Sequence, residues 1–187
     1  ERATAAVDLL PVRFGSVAPD AAALTRCLAA HAAELAEALA AIEDSVELGL
    51  RAAWKEGVVY REILEAEPAL RELRDRLQAR PTTETYQARI ELGRRVEAAL
   101  EARRAAAAAA LMKELAPLAR REVALRTAEE NAVLHRAFLV RRAEEQRFDA
   151  AIAALEARHG ARMAFRYVGP VPPFNFVSLR AEWLGAA

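Results

Sequence analysis

The chain has 187 residues, a length typical of one domain or of one domain with a large insertion. Its 27 Lys plus Arg balance 27 Asp plus Glu, and this net charge of zero argues against general binding to nucleic acid or to a membrane surface. The single cysteine, Cys27, excludes an internal disulfide and a cysteine-rich metal site, and the sequence has no uninterrupted apolar run of about 18 residues that could span a bilayer.

A strand and an amphipathic helix are the first elements that the sequence predicts. Residues 7–17 alternate apolar and polar positions, and Pro11 would confine such a strand to an edge or a bulge. Asp20 can cap a helix over about residues 21–43. Residues at spacings of three and four place one stripe on this helix, which we expect to be buried: Leu24, Leu28, His31, Leu35, Leu39 and Ile42.

The clearest alternation in the chain predicts a second strand, over residues 46–54. Its apolar face consists of Val46, Leu48, Leu50, Ala52 and Trp54. The opposite face carries Glu47, Gly49 and Arg51, so we expect a half-buried strand with one face toward the core.

A helical pattern continues over residues 57–130. Pro68 suits the first turn of one helix, and a longer helix follows over about residues 84–116. Pro117 is expected to end or kink that helix, with a further short helical piece over residues 118–127. Two long helices joined by a tight turn should pack as an antiparallel, coiled-coil-like hairpin that stands out from the sheet.

The last third of the chain predicts strand, helix and strand again. Residues 132–140 form a continuous apolar run, which is typical of a central strand. A helical stripe covers residues 143–159, and residues 162–168 alternate once more. The chain then turns sharply through the sequence GPVPPFNFV at residues 169–177.

Taken in order, these elements predict an α+β fold. It would be a ferredoxin-like antiparallel sheet with two helices on one face and a long helical-hairpin insertion. Residues 1–56 would form the first half of the α+β domain and residues 57–130 the helical insertion. Residues 131–187 would form the second half of the domain and would carry the GPVPPFNFV segment at its C-terminal end.

No constellation of residues indicates catalysis or a cofactor. His31, His135 and His159 lie in different predicted elements, and none has a second metal ligand at helical spacing. Cys27 lacks a basic neighbour that would clearly activate it, and the sequence has neither a Gly-x-Ser-x-Gly motif nor a glycine-rich phosphate loop. We therefore predict no catalytic, cofactor-binding or metal-binding residues.

The strongest local signal is the segment at residues 169–177. Three prolines within four residues hold the backbone extended and stiff and remove three amide donors, while Phe174 and Phe176 add aromatic surface. Two interpretations are open: a stiff corner that aims a terminal strand and fills the core, or an aromatic and proline surface presented to a partner.

This segment resembles the C-terminal signature of the gas vesicle protein F/L family, whose usual form is Gly-Pro-Trp-Pro-Pro-Tyr-Ser-Phe-Val. Here Val171, Phe174 and Asn175 replace the usual tryptophan, tyrosine and serine. The segment at residues 10–17, LPVRFGSV, resembles the family's Leu-Pro-hydrophobic-Arg-Phe-Gly-Thr-Val, and a third, shorter match lies at residues 137–140. The matching segments occur in the family's order and span most of the chain.

The resemblance implies a non-enzymatic accessory protein, needed for the assembly of the gas vesicles by which some prokaryotes float. Its implied partners are the small hydrophobic, GvpA-like shell protein and other gas vesicle accessory proteins, with no cofactor. The implied location is the cytoplasm and the gas vesicle, where family members can become minor components. The family also has an N-terminal α+β domain, which we expect this chain, beginning at Glu1, to lack.

We expect the partner to bind at the sheet edge, at the proline-rich corner, or at both. The residues expected to contact it are Arg13, Phe14, Pro172, Pro173, Phe174 and Phe176. Two alternatives stay open: a helical-hairpin module that binds partners of an unrelated process, and a small-molecule enzyme on a ferredoxin-like scaffold. An alanine-rich, neutral hairpin is also compatible with an oligomer.

Overall fold

The computed structural model describes residues 7–12, 15 and 17–177. In chain order the elements are α1 (Ala21–Ala30), α2 (Ala32–Ile42), β1 (Ser45–Trp54), α3 (Val58–Ala66), α4 (Pro68–Gln78), α5 (Thr82–Leu115), β2 (Arg121–Ala124), β3 (Ala132–Arg141), α6 (Glu145–His159) and β4 (Met163–Val171). Short 3-10 turns follow α5 and β3. None of the helices in the described part of the chain is both long and apolar enough to span a membrane.

The strands form one antiparallel sheet in the order β2-β3-β1-β4. β1 lies in the middle, where Leu50 is opposite Arg136 of β3 and Tyr167 of β4. Helices connect β1 to β2 and β3 to β4, so the chain follows the strand-helix-strand-strand-helix-strand order of a ferredoxin-like domain. The predicted α+β class with an antiparallel sheet is confirmed.

Which segments supply the strands differs from the prediction. Residues 7–12, 15 and 17, predicted as part of the first strand, have no strand structure, while positions 13, 14 and 16 lie outside the described residues. The first strand of the fold is instead β1, because the sheet places it beside both β3 and β4.

The predicted helical piece over residues 118–127 is also wrong. Within it, β2 pairs with β3, with Arg121 opposite Leu139 and Val123 opposite Ala137. Four residues are too few to show a strand period, and only pairing with β3 makes this segment a strand. Helices α3 to α5 therefore connect β1 to β2. The division of the chain into residues 1–56, 57–130 and 131–187 stays a prediction.

The larger core lies between the sheet and helices α3 to α6. The apolar face of β1 is buried there as predicted, and α5 contributes the fully buried Leu111 and Leu115. The ring of Phe148 on α6 packs 5.1 Å from that of Phe138 on β3, measured between centroids. The C-terminal end of α5 is thus part of the core and does not stand apart from the sheet.

A smaller apolar cluster covers part of the opposite face of the sheet. It contains Ile42 at the end of α2, Ala137 and Leu139 of β3, and Phe176 from the C-terminal segment. Leu10 and other partly buried residues pack against this cluster. One end of the second face is therefore covered, and the described helices contribute only the end of α2 to it.

The predicted helix over residues 21–43 is divided at His31 into α1 and α2. Asp20 caps α1 as expected, accepting a hydrogen bond of 2.6 Å from the Ala23 amide. The predicted burial of the apolar stripe is wrong for most of its length. Leu28 is 45% exposed and Leu24 and Leu39 are also exposed, because in the described part of the chain only the end of α2 reaches the sheet.

Pro68 occupies the first turn of α4, and α5 ends just before Pro117, both as predicted. Helices α4 and α5 run side by side, joined by a short turn. Arg89 of α5 fastens that turn, because its guanidinium donates a 2.7 Å hydrogen bond to the Leu77 carbonyl of α4. The predicted antiparallel packing of these two helices therefore holds at the tip.

Candidate functional site

The GPVPPFNFV segment, residues 169–177, forms a tight corner where β4 ends; we call it the corner. Gly169 has a φ of 140°, a conformation that side-chain-bearing residues rarely adopt. A Cβ at this position would lie 2.8 Å from Leu48 Cδ2 and 2.9 Å from the Glu47 carbonyl oxygen. The corner thus begins with the backbone of β4 pressed against β1, an approach that only glycine permits.

A buried carboxylate holds the other end of the corner. Glu47 of β1 is only 5% exposed. Its two carboxylate oxygens accept hydrogen bonds from the Asn175 backbone N–H (2.8 Å) and from the Asn175 side-chain amide (2.5 Å). Hydrogen bonds to an ionised acceptor are among the stronger ones in proteins, so Glu47 fixes the turn to the central strand.

The corner separates its side chains into an inward and an outward set. Phe176 is 6% exposed and packs in the smaller cluster, where the Arg121 guanidinium lies 5.6 Å from the centre of its ring. Pro173 is buried as well, whereas Pro172 is half-buried. Phe174 is 57% exposed and is the aromatic that the corner presents to the outside.

The structure describes four of the six residues predicted to contact a partner. The structure brings Pro172, Pro173, Phe174 and Phe176 together in one turn, as the sequence indicated. Phe174 and Pro172 have accessible surface for a partner, while Phe176 packs in the smaller cluster and Pro173 is buried. The remaining two predicted positions, Arg13 and Phe14, lie outside the described residues.

Glu47 is the site residue that sequence reasoning missed. The alternation of β1 placed it on the polar face, which usually means exposure to solvent. The available signal was the one acidic side chain of this strand together with the single asparagine in the corner. Only the fold brings residues 47 and 175 together.

Helix α6 supports β4 from the core side. The Tyr167 hydroxyl donates a 2.5 Å hydrogen bond to Asp149 Oδ1, and the Phe148 ring stacks on the Tyr167 ring at 6.3 Å. Burial, followed by this hydrogen bond and the nearby carboxylates of Asp149 and Glu145, raises the pKa of Tyr167 above its usual value. The phenol therefore stays protonated and can keep donating to Asp149.

The residues around the corner are suited to contact with another molecule. Among the residues that the structure describes, no group of three or more His, Cys, Asp and Glu side chains could hold a metal ion. A surface cleft of about 470 Å³ lies near Trp54, Tyr60 and Leu100, and Glu129 at its rim is paired with Arg51. A rigid turn with an exposed phenylalanine suits binding to another polypeptide.

Comparisons with known proteins identify relatives of this chain. The family model described as "Gas vesicle synthesis protein GvpL/GvpF" matches residues 1–178. Gas vesicle protein F of Streptomyces sp. (strain CB03234) is 33% identical over 172 residues, covering 90% of this chain and 70% of that protein. Gas vesicle protein F of Dolichospermum flosaquae is 24% identical over 172 residues, covering 91% and 69%.

Two solved structures share the fold. The crystal structure of GvpF from Anabaena sp. PCC7120 superposes with a TM-score of 0.79 at 22% identity, covering 91% of this chain and 69% of that one. GvpF from Microcystis aeruginosa gives a TM-score of 0.71 at 22% identity, with coverages of 91% and 70%. With the family model matching nearly the whole sequence, the chain belongs to the gas vesicle synthesis protein GvpL/GvpF family.

Proposed function

We propose that this protein is a non-enzymatic accessory factor in gas vesicle assembly that binds the small hydrophobic, GvpA-like shell protein. The observation that carries the proposal is the match of the gas vesicle synthesis family over residues 1–178. The protein would act in the cytoplasm, together with other gas vesicle accessory proteins, and would stay with the vesicle as a minor component.

The physical role we propose is to shield the shell subunit before it polymerises. A subunit that later builds an apolar wall exposes apolar surface while it is free, and such surface aggregates in water. An accessory protein that covers part of this surface lowers the concentration of aggregation-prone subunits. It needs a binding surface for this task and no reactive group.

The corner is our proposed contact with the shell protein. Phe174 supplies an exposed aromatic side chain, and Pro172 lies beside it on the same turn. The hydrogen bonds from Asn175 to Glu47 hold the turn in place before any partner arrives. A pre-organised turn loses little conformational freedom on binding, which favours affinity.

Co-expression with the shell protein of the same organism tests the proposal, with the soluble fraction of the shell protein as the measurement. We expect the chain to raise that fraction and Phe174→Ala to reduce the gain. Tyr86→Ala is the matched control, because Tyr86 is an equally accessible aromatic (62% exposed) on α5, far along the chain from the corner.

The control also tests the helical-hairpin alternative, for which the exposed Tyr86 and Ile90 on α5 are the supporting observation. Loss of shell protein solubility with Tyr86→Ala and not with Phe174→Ala would favour the hairpin as the binding surface. Equal aggregation of the shell protein with and without the chain would contradict the proposed function altogether.

A further inference from the structure

Strand β4 has one edge that no strand of the described residues pairs with, and we call it the free edge. β4 pairs only with β1 in the described part of the chain. Just before β4, the Lys55 amide donates a 2.9 Å hydrogen bond to the Arg162 carbonyl. Residue 162 therefore faces β1 with its backbone polar groups, and every second residue after it does the same. In an antiparallel ladder, Ala164 and Arg166 then turn their amides and carbonyls toward β1, and Phe165 and Tyr167 turn theirs outward.

The backbone groups on the free edge have capacity for another strand. The described residues supply no hydrogen bond to the outward amides or carbonyls of Phe165 and Tyr167. Their side chains are held on the core side of β4, where both pack against the larger cluster. The free edge is therefore a rigid template, because its side chains are anchored while its backbone is open.

The outer face of β4 gives the edge a chemical preference. Ala164, Arg166 and Val168 alternate there, all exposed, with Val168 at 50%. Arg166 forms no ion pair with any residue that the structure describes. A strand added to the edge would place a side chain directly opposite Arg166, at the short spacing of a non-hydrogen-bonded pair.

A second copy of the chain is poorly suited to this edge in the register that centres on Arg166. When a two-fold axis passes beside Arg166, two antiparallel β4 strands pair over residues 163–169. That register sets the two Arg166 side chains opposite each other, although each already lies opposite Arg51 of its own β1, so it adds a further like charge at this position. Pro170 lacks the amide that a longer pairing would need.

We propose that the free edge of β4 binds an extended segment of another polypeptide by strand addition, and that this segment alternates apolar and acidic residues. The apolar residues would extend the surface of Phe165 and Tyr167, and an acidic residue would pair with Arg166. The inference deepens the proposed function, on which it rests only for the identity of the polypeptide as a gas vesicle partner.

Amide hydrogen exchange measured by NMR tests the edge directly. The probe is a capped peptide of about seven residues that alternates valine and glutamate. We expect its saturating addition to slow exchange at the Phe165 and Tyr167 amides by about tenfold or more, since both would gain a hydrogen bond. The Ala164 and Arg166 amides, already facing β1, should change little.

Three comparisons test the chemistry. A peptide alternating valine and lysine should bind about tenfold more weakly, and a valine-glutamate peptide N-methylated on its bonding edge should give no protection. Arg166→Glu should weaken binding of the valine-glutamate peptide about fivefold or more. Arg141→Glu is the matched control, because Arg141 is an exposed strand residue at the end of β3, and should leave binding unchanged.

The proposal is overturned if the valine-glutamate peptide gives no protection at residues 165 and 167, or if the lysine peptide binds equally well. Protection of both amides in the free protein would also overturn it, since the edge would then be covered by the chain itself or by a second copy. If the shell protein stays soluble while the peptide fails, the proposed function survives and the edge inference does not. Peptide binding without any effect on the shell protein would give the reverse result.

Discussion

Glu47 is the residue on which the position of the corner depends. Its carboxylate lies in a nearly buried position on the central strand and accepts both hydrogen bonds that Asn175 donates. Burying a carboxylate costs desolvation free energy, and its hydrogen bonds must offset that cost. The arrangement links a strand near residue 50 to a turn near residue 175, across more than half of the chain.

We predict that Glu47→Ala lowers the free energy of unfolding by about 2 kcal/mol, because it leaves the Asn175 amide without its acceptor in a partly buried position. Urea denaturation measures the change, and faster exchange of the Asn175 amide locates it. Glu97→Ala, on the exposed side of α5, is the control and should cost less than about 0.5 kcal/mol. Equal losses for the two variants would show that Glu47 has no special part in the fold.

Strand β4 is held in place by several neighbouring elements within only nine residues. Helix α6 holds its inner side chains, β1 holds one edge, and the corner follows without a break at Gly169. The other edge of β4 is the free edge, with which no described strand pairs. A strand supported in this way can present backbone groups to a partner without rearranging, which is why we place the proposed strand addition here.

Two glycines provide a matched test of how the corner is built. Gly169→Ala is predicted to lower the free energy of unfolding by about 2 kcal/mol or more, because the added methyl group meets β1 and the backbone has a positive φ. Gly93→Ala, in the middle of α5 with open space around it, is predicted to raise stability by about 0.5–1 kcal/mol. Thermal or urea unfolding measures both, and a harmless Gly169→Ala would contradict the close approach of β4 to β1.

The molecule as a whole buries one face of its sheet well and the other face in part. Helices α3 to α6 cover the first face with a continuous core. The second face is covered at one end by Ile42, Phe176 and their neighbours. The apolar stripe along α1 and α2 lies mostly outside either cluster, so it adds little to the stability of the part of the chain that the structure describes.

This uneven burial predicts opposite outcomes for two leucines on helices. Leu111→Ala should lower the free energy of unfolding by about 3 kcal/mol, because it opens a cavity under the sheet. Leu28→Ala, on the exposed side of α1, should change it by about 0.5 kcal/mol or less. Urea denaturation of both variants at one protein concentration is the measurement. A large loss for Leu28→Ala would mean that α1 is covered in solution.

The predictions from sequence succeeded where a long segment has one strong period. β1 and α6 were recognisable because their apolar residues repeat with the period of a strand or a helix, and β3 was recognisable as a continuous apolar run of nine residues. β2 was not recognisable, since its four residues carry no period and become a strand only beside β3. The predicted burial of the stripe on α1 and α2 was wrong for most of its length, because amphipathicity shows that a helix face can be buried and does not show which residues cover it.

The amino-acid order was enough to establish the α+β class, the helix that begins at Pro68, the helix that ends before Pro117, the stiffness of the corner and the resemblance to a gas vesicle family. All of these follow from local backbone chemistry or from contiguous motifs. Tertiary structure alone decided that residues 45–54 open the ferredoxin-like order, that Glu47 holds Asn175, and that β4 pairs only with β1 among the described residues. The reason is that each of these depends on pairs of groups far apart in the chain, whose contact costs loop entropy and forms only when the whole sheet assembles.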